Sequence, residues 1–397
     1  MADRHILTVN SGSSSIKFSV YRMGDSEDLS LSGEISGIGR DSSLFHARDS
    51  GGSTLMQTGL AAGNHGAALE YLFDWLKDHA YDRGLDAAGH RVVHGGAVYT
   101  GPQPVTGGLV EDLRKLSPFA PQHLPHELDA IEAISRFAPH IKQVACFDTA
   151  FYRDMPRIAR LYALPRDLRE EGLQRYGFHG LSYEYITEEL GRAVGEEAVR
   201  GRVIIAHLGH GASMTAVHNG RAVDTTMGFT PAGGLVMSTR CGDLDPGVIL
   251  YLLEHKGMSA GEISELVNRR AGLAAISGIS PDMKELLDME QEEPRAHEAV
   301  ELFCYQARKF LGGLVTALGG LDTLVFTGGI GENSPVIRSR ICEGLGFMGI
   351  RIDPERNRTG SAVISGDDSM VTVRVIKTNE ELMIARHTYN ILRGGGE

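Results

Sequence analysis

The sequence predicts an α/β protein of two similar domains, and three observations carry that reading. An apolar run, a polar glycine-containing tip and a second apolar run stand near the start of each half, from Ile6 to Tyr21 (ILTVNSGSSSIKFSVY) and from Val203 to Thr225 (VIIAHLGHGASMTAVHNGRAVDT). Stretches with helical apolar spacing follow each of them. The chain of 397 residues is also too long for one ordinary core, and length alone suggests roughly two or three domains.

Composition narrows the class. Hydrophobic residues at 42% and charged residues at 23% belong to a soluble globular protein. The 50 glycines fall in discrete turns rather than in a repeat, which excludes collagen-like and low-complexity readings. A formal charge of -12 argues against a general nucleic-acid binder, so an anionic ligand must be held by locally placed Arg and Lys. Cys146, Cys241, Cys304 and Cys342 form neither CxxC pairs nor a metal-type spacing, which fits a reducing cytoplasm. The start, MADRHILTVN, lacks the basic and apolar regions of a signal peptide, and no window approaches the roughly 18 apolar residues of a membrane span.

Taken in order, Ile6, Leu7 and Val9 form the first strand, and NSGSSS breaks it. In the returning strand Ile16, Phe18 and Val20 take one face and Lys17, Ser19 and Tyr21 the other. The tip offers backbone N–H groups, hydroxyls and the Asn10 amide, which an anionic phosphate and its metal need. An ordinary serine-rich turn has the same composition. Between His65 and Ala80, the spacing of Leu69, Leu72, Phe73 and Leu76 predicts an amphipathic helix on the first sheet. HRVVHGG, residues 90 to 96, reads as a β-branched strand, on which His90 and His94 would lie about 13 Å apart, too far for a metal pair. Val144 to Tyr152 (VACFDTAFY) reads as a buried strand with Asp148 near its carboxyl end, where open α/β sheets bind ligands.

The second half repeats the plan. A strand leads to the tip LGHGAS, and a hairpin is expected at Asn219 and Gly220. TRCGDLDPG, 239 to 247, is a polar turn before a helix carrying Val248, Ile249, Leu252 and Leu253. Apolar positions from Val300 to Leu318 predict a buried central helix. LVFTGGIGEN, 324 to 333, reads as a strand opening into a glycine loop, with a helix from about Pro335. VTVRVI is the last strand and TNEELMIARHTYNIL the last helix, with Thr378 as its cap and Glu380 and Glu381 in its first turn.

Together, VNSGSSSIKFSVY, HRVVHGG, FDTAF, YGFHGLSYEYI, HLGHGAS, TRCGDLDPG, FTGGIGENSPVIR and TNEELMIAR make the chain resemble the acetate and propionate kinase family over nearly its whole length. That family belongs to the sugar kinase, Hsp70 and actin superfamily. The resemblance implies two actin/Hsp70-like, ribonuclease H-like domains that close on ATP in a cleft. It implies an acyl-kinase domain of residues 1–149 plus 383–397 and a nucleotide-binding domain of residues 150–382. The implied reaction is reversible, direct in-line transfer of the ATP γ-phosphoryl group to acetate, giving acetyl phosphate and ADP. A kinase of propionate or another short-chain acid is the alternative. Cytoplasmic location, a homodimer, no nucleic-acid partner and no membrane are implied as well.

Because the attacking carboxylate is already an anion, the reaction asks for charge cancellation more than for a base. By resemblance, Asn10 and Glu380 hold Mg²⁺ or Mn²⁺, and Lys17 belongs to the nucleotide-side set. Arg91 and Arg240 bracket the carboxylate and the transferring group, since guanidinium forks match planar oxyanions. His179 donates to equatorial oxygens in the transition state, and Asp148 orients an arginine or the metal. The nucleotide falls to His207, Leu208, Gly209, His210 and Gly211, to Gly328, Gly329, Ile330, Gly331 and Glu332, and to Asp282, Met283 and Lys284. Val93, Gln122, Phe178 and Pro231 line the acyl pocket. Neither GxGxxG nor GxxxxGK[ST] is present, which disfavours a Walker-type NTPase.

Several positions depart from the family pattern. His210 stands for an Asn in HLGNG, Cys241 for a Ser, Gln122 and Leu124 for the Leu and Asn of APLHNP, and Lys284 for an Arg. His210 carries two readings, an imidazole held protonated by phosphate or a ring turned to solvent.

Overall fold

The computed structural model describes residues 3 to 394 apart from 41, 80, 82 and 83. The helix end expected at Ala80, the first two residues of the chain start and the last three of the C-terminal span lie outside the described residues. The chain divides into two compact units, residues 1–153 with 379–397 and residues 154–378.

The first unit is built on an eight-stranded sheet. Its strands are β1 (Arg4–Ser11), β2 (Ser15–Met23), β3 (Glu27–Ser36), β4 (Ser43–Asp49), β5 (Thr54–Leu60), β6 (Leu85–Val92), β7 (Gln103–Pro104) and β8 (Lys142–Phe147), in the order β5-β4-β3-β2-β1-β6-β8-β7. β1 and β2 form the expected hairpin, with Asn10 opposite Lys17. Alternation decides which face each side chain takes. Leu7, Val9, Phe18 and Phe45 enter a core with Leu69, Leu72, Trp75 and Leu76 of helix His65–Asp78 and with Ala130 and Ile134 of helix Leu124–Phe137. Ile6, Tyr21 and Met23 point the other way, against Ala385 and Tyr389 of the C-terminal helix Glu380–Gly394.

The second unit carries a five-stranded sheet, β9 (Arg202–Leu208), β10 (Ala212–His218), β11 (Arg221–Thr225), β12 (Thr323–Thr327) and β13 (Thr372–Val375), in the order β11-β10-β9-β12-β13. Its pattern repeats the run β3-β2-β1-β6-β8 of the first sheet. In each, a first strand pairs antiparallel with the next, which pairs antiparallel with a third. On its other side it pairs parallel with a later strand, which pairs parallel with another. This shared topology is the duplication read from the two strand–tip–strand stretches. Asn219 and Gly220 turn the second hairpin with φ of 53° and 70°, as a two-residue turn of this kind requires.

Four local expectations need correction. The segment from Val144 to Tyr152 is not one strand, since β8 stops at Phe147 and Asp148–Tyr152 winds into a 3₁₀ turn. β6 stops at Val92, so His94 lies beyond it. Gly328–Asn333 is a helical turn rather than an open loop, followed by helix Pro335–Cys342. The long helix Pro294–Leu318 buries one face, through Val300, Phe303, Ala307, Leu311 and Leu314, and leaves Tyr305 exposed. Among the described residues no helix is long and apolar enough to cross a membrane.

Candidate active site

In the first unit, the ends of β1, β6 and β8 bring Asn10, Arg91 and Asp148 together, and the C-terminal helix adds Glu380 at its first residue. The Arg91 Nε and Nη2 atoms donate to Asp148 Oδ2 at 3.1 and 2.6 Å, and Nη1 donates to Asn10 Oδ1 at 3.2 Å. Glu380 Oε2 lies 3.6 Å from the same Nη1. Asp148 is wholly buried, whereas the Arg91 side chain keeps 21% of its surface open. Burial works against the guanidinium charge, but Asp148 and Glu380 outweigh it and hold its pKa above the ordinary value. The fork therefore stays charged and aimed. Asp148 thus fixes the direction of the Arg91 side chain.

Beneath this cluster lies Glu127, which the sequence reading passed over. It is buried, accepts the Val93 N–H at 3.0 Å, and so ties down the backbone two residues beyond Arg91. Burial pushes its carboxyl up to about 8, against the Val93 bond and Arg91, with Asp148 adding to the rise. His90 and His94 are taken up separately. His90 bonds Gln143 Oε1 at 2.7 Å, and His94 Nδ1 accepts the Gly96 N–H at 2.9 Å. Burial lowers each to about 4, so both rings are neutral near pH 7.

Lys17 is exposed on the sheet face away from Phe18 and lines a surface cavity of about 430 Å³ with Glu34, Arg48, Asn379 and Glu381. Val93 is buried and Gln122 half-buried. The expected cap of the C-terminal helix is corrected. Asn379 Oδ1 accepts the Leu382 N–H at 2.9 Å, while the Thr378 hydroxyl turns to Ser182.

The second unit gathers its residues at the ends of β9 and β12. His179 precedes helix Gly180–Val194 in the left-handed conformation, φ 58°, uncommon for a residue with a side chain and found where a site holds strain. Its ring stacks on His207, 4.3 Å between centroids. Gly211 explains the spacing of the donors. A Cβ there would sit 3.0 Å from His179 Nε2 and 3.1 Å from Arg240 Nη2, so both groups reach one point beside the tip. Arg240 Nη1 donates to the carbonyl of Pro231 at 2.8 Å. Pro231 and Phe178 are buried.

The nucleotide segments expected in this unit meet. A Cβ on Gly328 would come 2.8 Å from the Leu208 carbonyl, and one on Gly209 would come 3.6 Å from Gly329 N. Gly331 is buried, Gly329 is exposed and Ile330 is half-buried. Glu332 Oε1 accepts the N–H groups of Gly328 at 2.9 Å and Thr378 at 3.0 Å, which closes the turn. From behind, the buried Arg338 donates to the carbonyls of Gly331 and Glu332 at 2.8 and 2.9 Å. Asp282 caps helix Met283–Met289, accepting the N–H groups of Lys284 and Glu285 at 2.9 and 3.1 Å. Met283 is buried and Lys284 exposed.

Asp282 also acts on His210. The packing around that ring and then Arg240 lower its pKa, and Asp282 opposes them. His210 is exposed, which fits the ring turned to solvent, and of its neighbouring charges Arg240 opposes a proton on it while Asp282 favours one.

A model of the Acetokinase family matches residues 5–386. An acetate kinase of Rhodopseudomonas palustris (strain TIE-1) is 48% identical over 396 residues, 98% of this chain and 99% of its own. The crystal structure of Porphyromonas gingivalis acetate kinase superposes with a TM-score of 0.88 at 38% identity, over 98% of this chain and all of that one. A propionate kinase from Francisella tularensis superposes with a TM-score of 0.92 at 34% identity, over 98% and 99%.

Proposed function

This chain belongs to the acetokinase family and is an ATP-dependent kinase of acetate, and from that premise we propose how its residues divide the work. The first unit is the acyl-kinase domain and the second the nucleotide-binding domain. Acetate attacks the γ-phosphorus through a carboxylate oxygen, the bond to the β-bridging oxygen breaks, and the electron pair leaves on ADP. No proton moves in this step. The obstacle is repulsion between two anions, so the residues that matter carry positive charge or donate hydrogen bonds.

Arg91 meets the acetate carboxylate with a fork whose direction Asp148 sets. Arg240 and His179 donate to the oxygens of the transferring group. The observation that carries this assignment is their convergence at Gly211, where a side chain would fill the space they face. The backbone N–H groups of the Leu208–Gly211 and Gly328–Gly331 segments take the remaining phosphate oxygens. Asn10 and Glu380 suit Mg²⁺, a hard cation that accepts one or two oxygen ligands and keeps its waters. Bound there, it would neutralise charge on the phosphates. Arg91 already draws both side chains toward one point. Val93, Gln122, Phe178 and Pro231 contact the acyl methyl, and Lys17 acts on the nucleotide side.

The working molecule is a homodimer that meets through helix Pro246–Glu254. That helix, PGVILYLLE, has no buried residue, and Val248, Leu250, Tyr251 and Leu253 stand exposed. ATP as co-substrate supports a cytoplasmic location.

The test is acyl phosphate formation from ATP, trapped as the hydroxamate, with acetate, propionate, butyrate and glycolate as acceptors. Acetate should have the highest kcat/KM. Propionate should follow closely, because one methylene is worth only about 1 to 3 kcal/mol. A clear preference for butyrate or glycolate would contradict the acyl-pocket assignment, and Gln122→Leu then shows whether that residue sets the choice.

A further inference from the structure

Two imidazoles of the second unit, those of His179 and His207, are anchored in the same way. His179 Nδ1 lies 2.8 Å from Ser213 Oγ, which also meets the Tyr183 hydroxyl. His207 Nδ1 lies 2.8 Å from Ser182 Oγ, which lies 2.8 Å from Thr378 Oγ1. The rings stack 20° from parallel. Their Nε2 atoms turn toward the glycine tip, since a Cβ on Gly211 would sit 3.0 Å from that of His179 and one on Gly209 3.8 Å from that of His207. Ser182, Ser213 and Tyr183 are wholly buried.

A hydroxyl has one proton, so a chain of two hydroxyls ending on a ring nitrogen has a direction. When Tyr183 and Thr378 donate inward, each serine proton is left for Nδ1, and the ring proton must sit on Nε2. Arg240 Nη2 reaches the same point as His179 Nε2, and two stacked imidazolium ions would repel each other. Glu332 bonds the Thr378 N–H and leaves its hydroxyl to Ser182.

We propose that Ser213 with Tyr183, and Ser182 with Thr378, are positioning residues that hold His179 and His207 as neutral Nε2–H tautomers, so that the site presents two parallel N–H donors to phosphoryl oxygens. The phosphoryl part rests on the kinase reading above, while the tautomers do not. Neither ring gains or loses a proton during transfer. A neutral donor keeps its proton beside the phosphate, and its strength is unchanged as pH rises above 7.

The test is two-bond ¹H–¹⁵N correlation on the full chain with ¹⁵N-labelled histidine at pH 7, without ligands, the two rings assigned by their loss in His179→Gln and His207→Gln. Both should show a protonated Nε2 and a bare Nδ1. Ser213→Ala should turn His179 into a tautomer mixture and leave His207 as it was, and Ser182→Ala should do the reverse. In each, kcat for acetyl phosphate formation should fall roughly tenfold or more with KM for ATP little changed, as when a transition-state donor is misaligned. Tyr183→Phe, which keeps the ring volume, reads the same effect on His179 if Ser213→Ala does not fold. A proton on Nδ1 or an imidazolium in the wild type overturns the proposal, as does a wild-type tautomer and kcat in the serine variants. Failure to make acetyl phosphate would strike the kinase reading and leave the tautomer result standing.

Discussion

In the first unit Arg91 is ringed by Asp148, Glu380 and the Asn10 amide, whereas in the second His179 and His207 rest on serine hydroxyls. The first cluster is held by charge. Asp148 is buried while Arg91, Asn10 and Glu380 are half-buried, so removing the buried carboxylate leaves the guanidinium short of its main counter-charge. The second is held by shared protons, and its failure mode is a proton on the wrong nitrogen rather than an exposed charge. Two copies of one topology have therefore been fitted out with opposite physics. The difference separates variants that lose stability and turnover together from those that lose turnover alone.

Asp148→Asn should give the largest combined effect. It removes the carboxylate under Arg91, and breaking a buried pair costs about 3 kcal/mol or more. Denaturant titration should show that loss, and turnover should fall with it because the fork is no longer aimed. Ser213→Ala, the matching disruption in the second unit, should lose turnover with a smaller change in stability. Equal stability losses would erase the contrast between the clusters.

Glu127 tests the charge account through pH. The unfolded chain releases this proton near 4.5, and the folded chain holds it until about 8, so stability falls as pH rises across that window. Glu127→Gln should flatten the fall in Tm between those limits. His90 and His94 act in the opposite sense. Each is lowered from 6.5 to about 4, so stability is lost as pH drops through that range, and Glu127→Gln should leave that acid limb unchanged. An unaltered slope above 4.5 in the variant would mean that Glu127 is ionised in the fold.

His210 should give the smallest effect. With its pKa held down by packing and Arg240, the ring is neutral at and above pH 7. Wild type and His210→Asn should then show parallel ATP affinities from pH 7 to 9, measured by calorimetry. A wild-type affinity that weakens over that range while the variant stays level would mean that bound phosphate raises the imidazole after all.

Much of the fold was legible in the chain, for identifiable reasons. Alternation in Ile6 to Tyr21 and the Asn219-Gly220 turn encode hairpins directly, because strand facing and positive φ are local properties. The end of β8 was not, since Phe147, Ala150 and Tyr152 are buried in strand and 3₁₀ turn alike, and only the reach of Asp148 to Arg91 separates the two. Thr378 and Asn379 are both good caps, and the choice between them fell to a partner far away in sequence, Ser182. Charged members of the site were carried by motifs. Ser213, Tyr183 and Arg338 stand inside HLGHGAS, YGFHGLSYEYI and FTGGIGENSPVIR and Glu127 outside any motif, yet none of the four declares its part, because a glutamate or tyrosine at helical spacing, or a serine in a strand, looks the same with or without a buried partner.

The central claim is that charge cancellation by two arginines, one from each cluster, makes transfer to an anionic acceptor fast. Its most direct test is ATP-dependent acetyl phosphate formation by wild type, Arg91→Ala and Arg240→Ala at saturating acetate. Each variant should lose about 10²-fold or more in kcat, the usual worth of a donor aimed at developing charge. Near wild-type turnover in both variants would contradict the account.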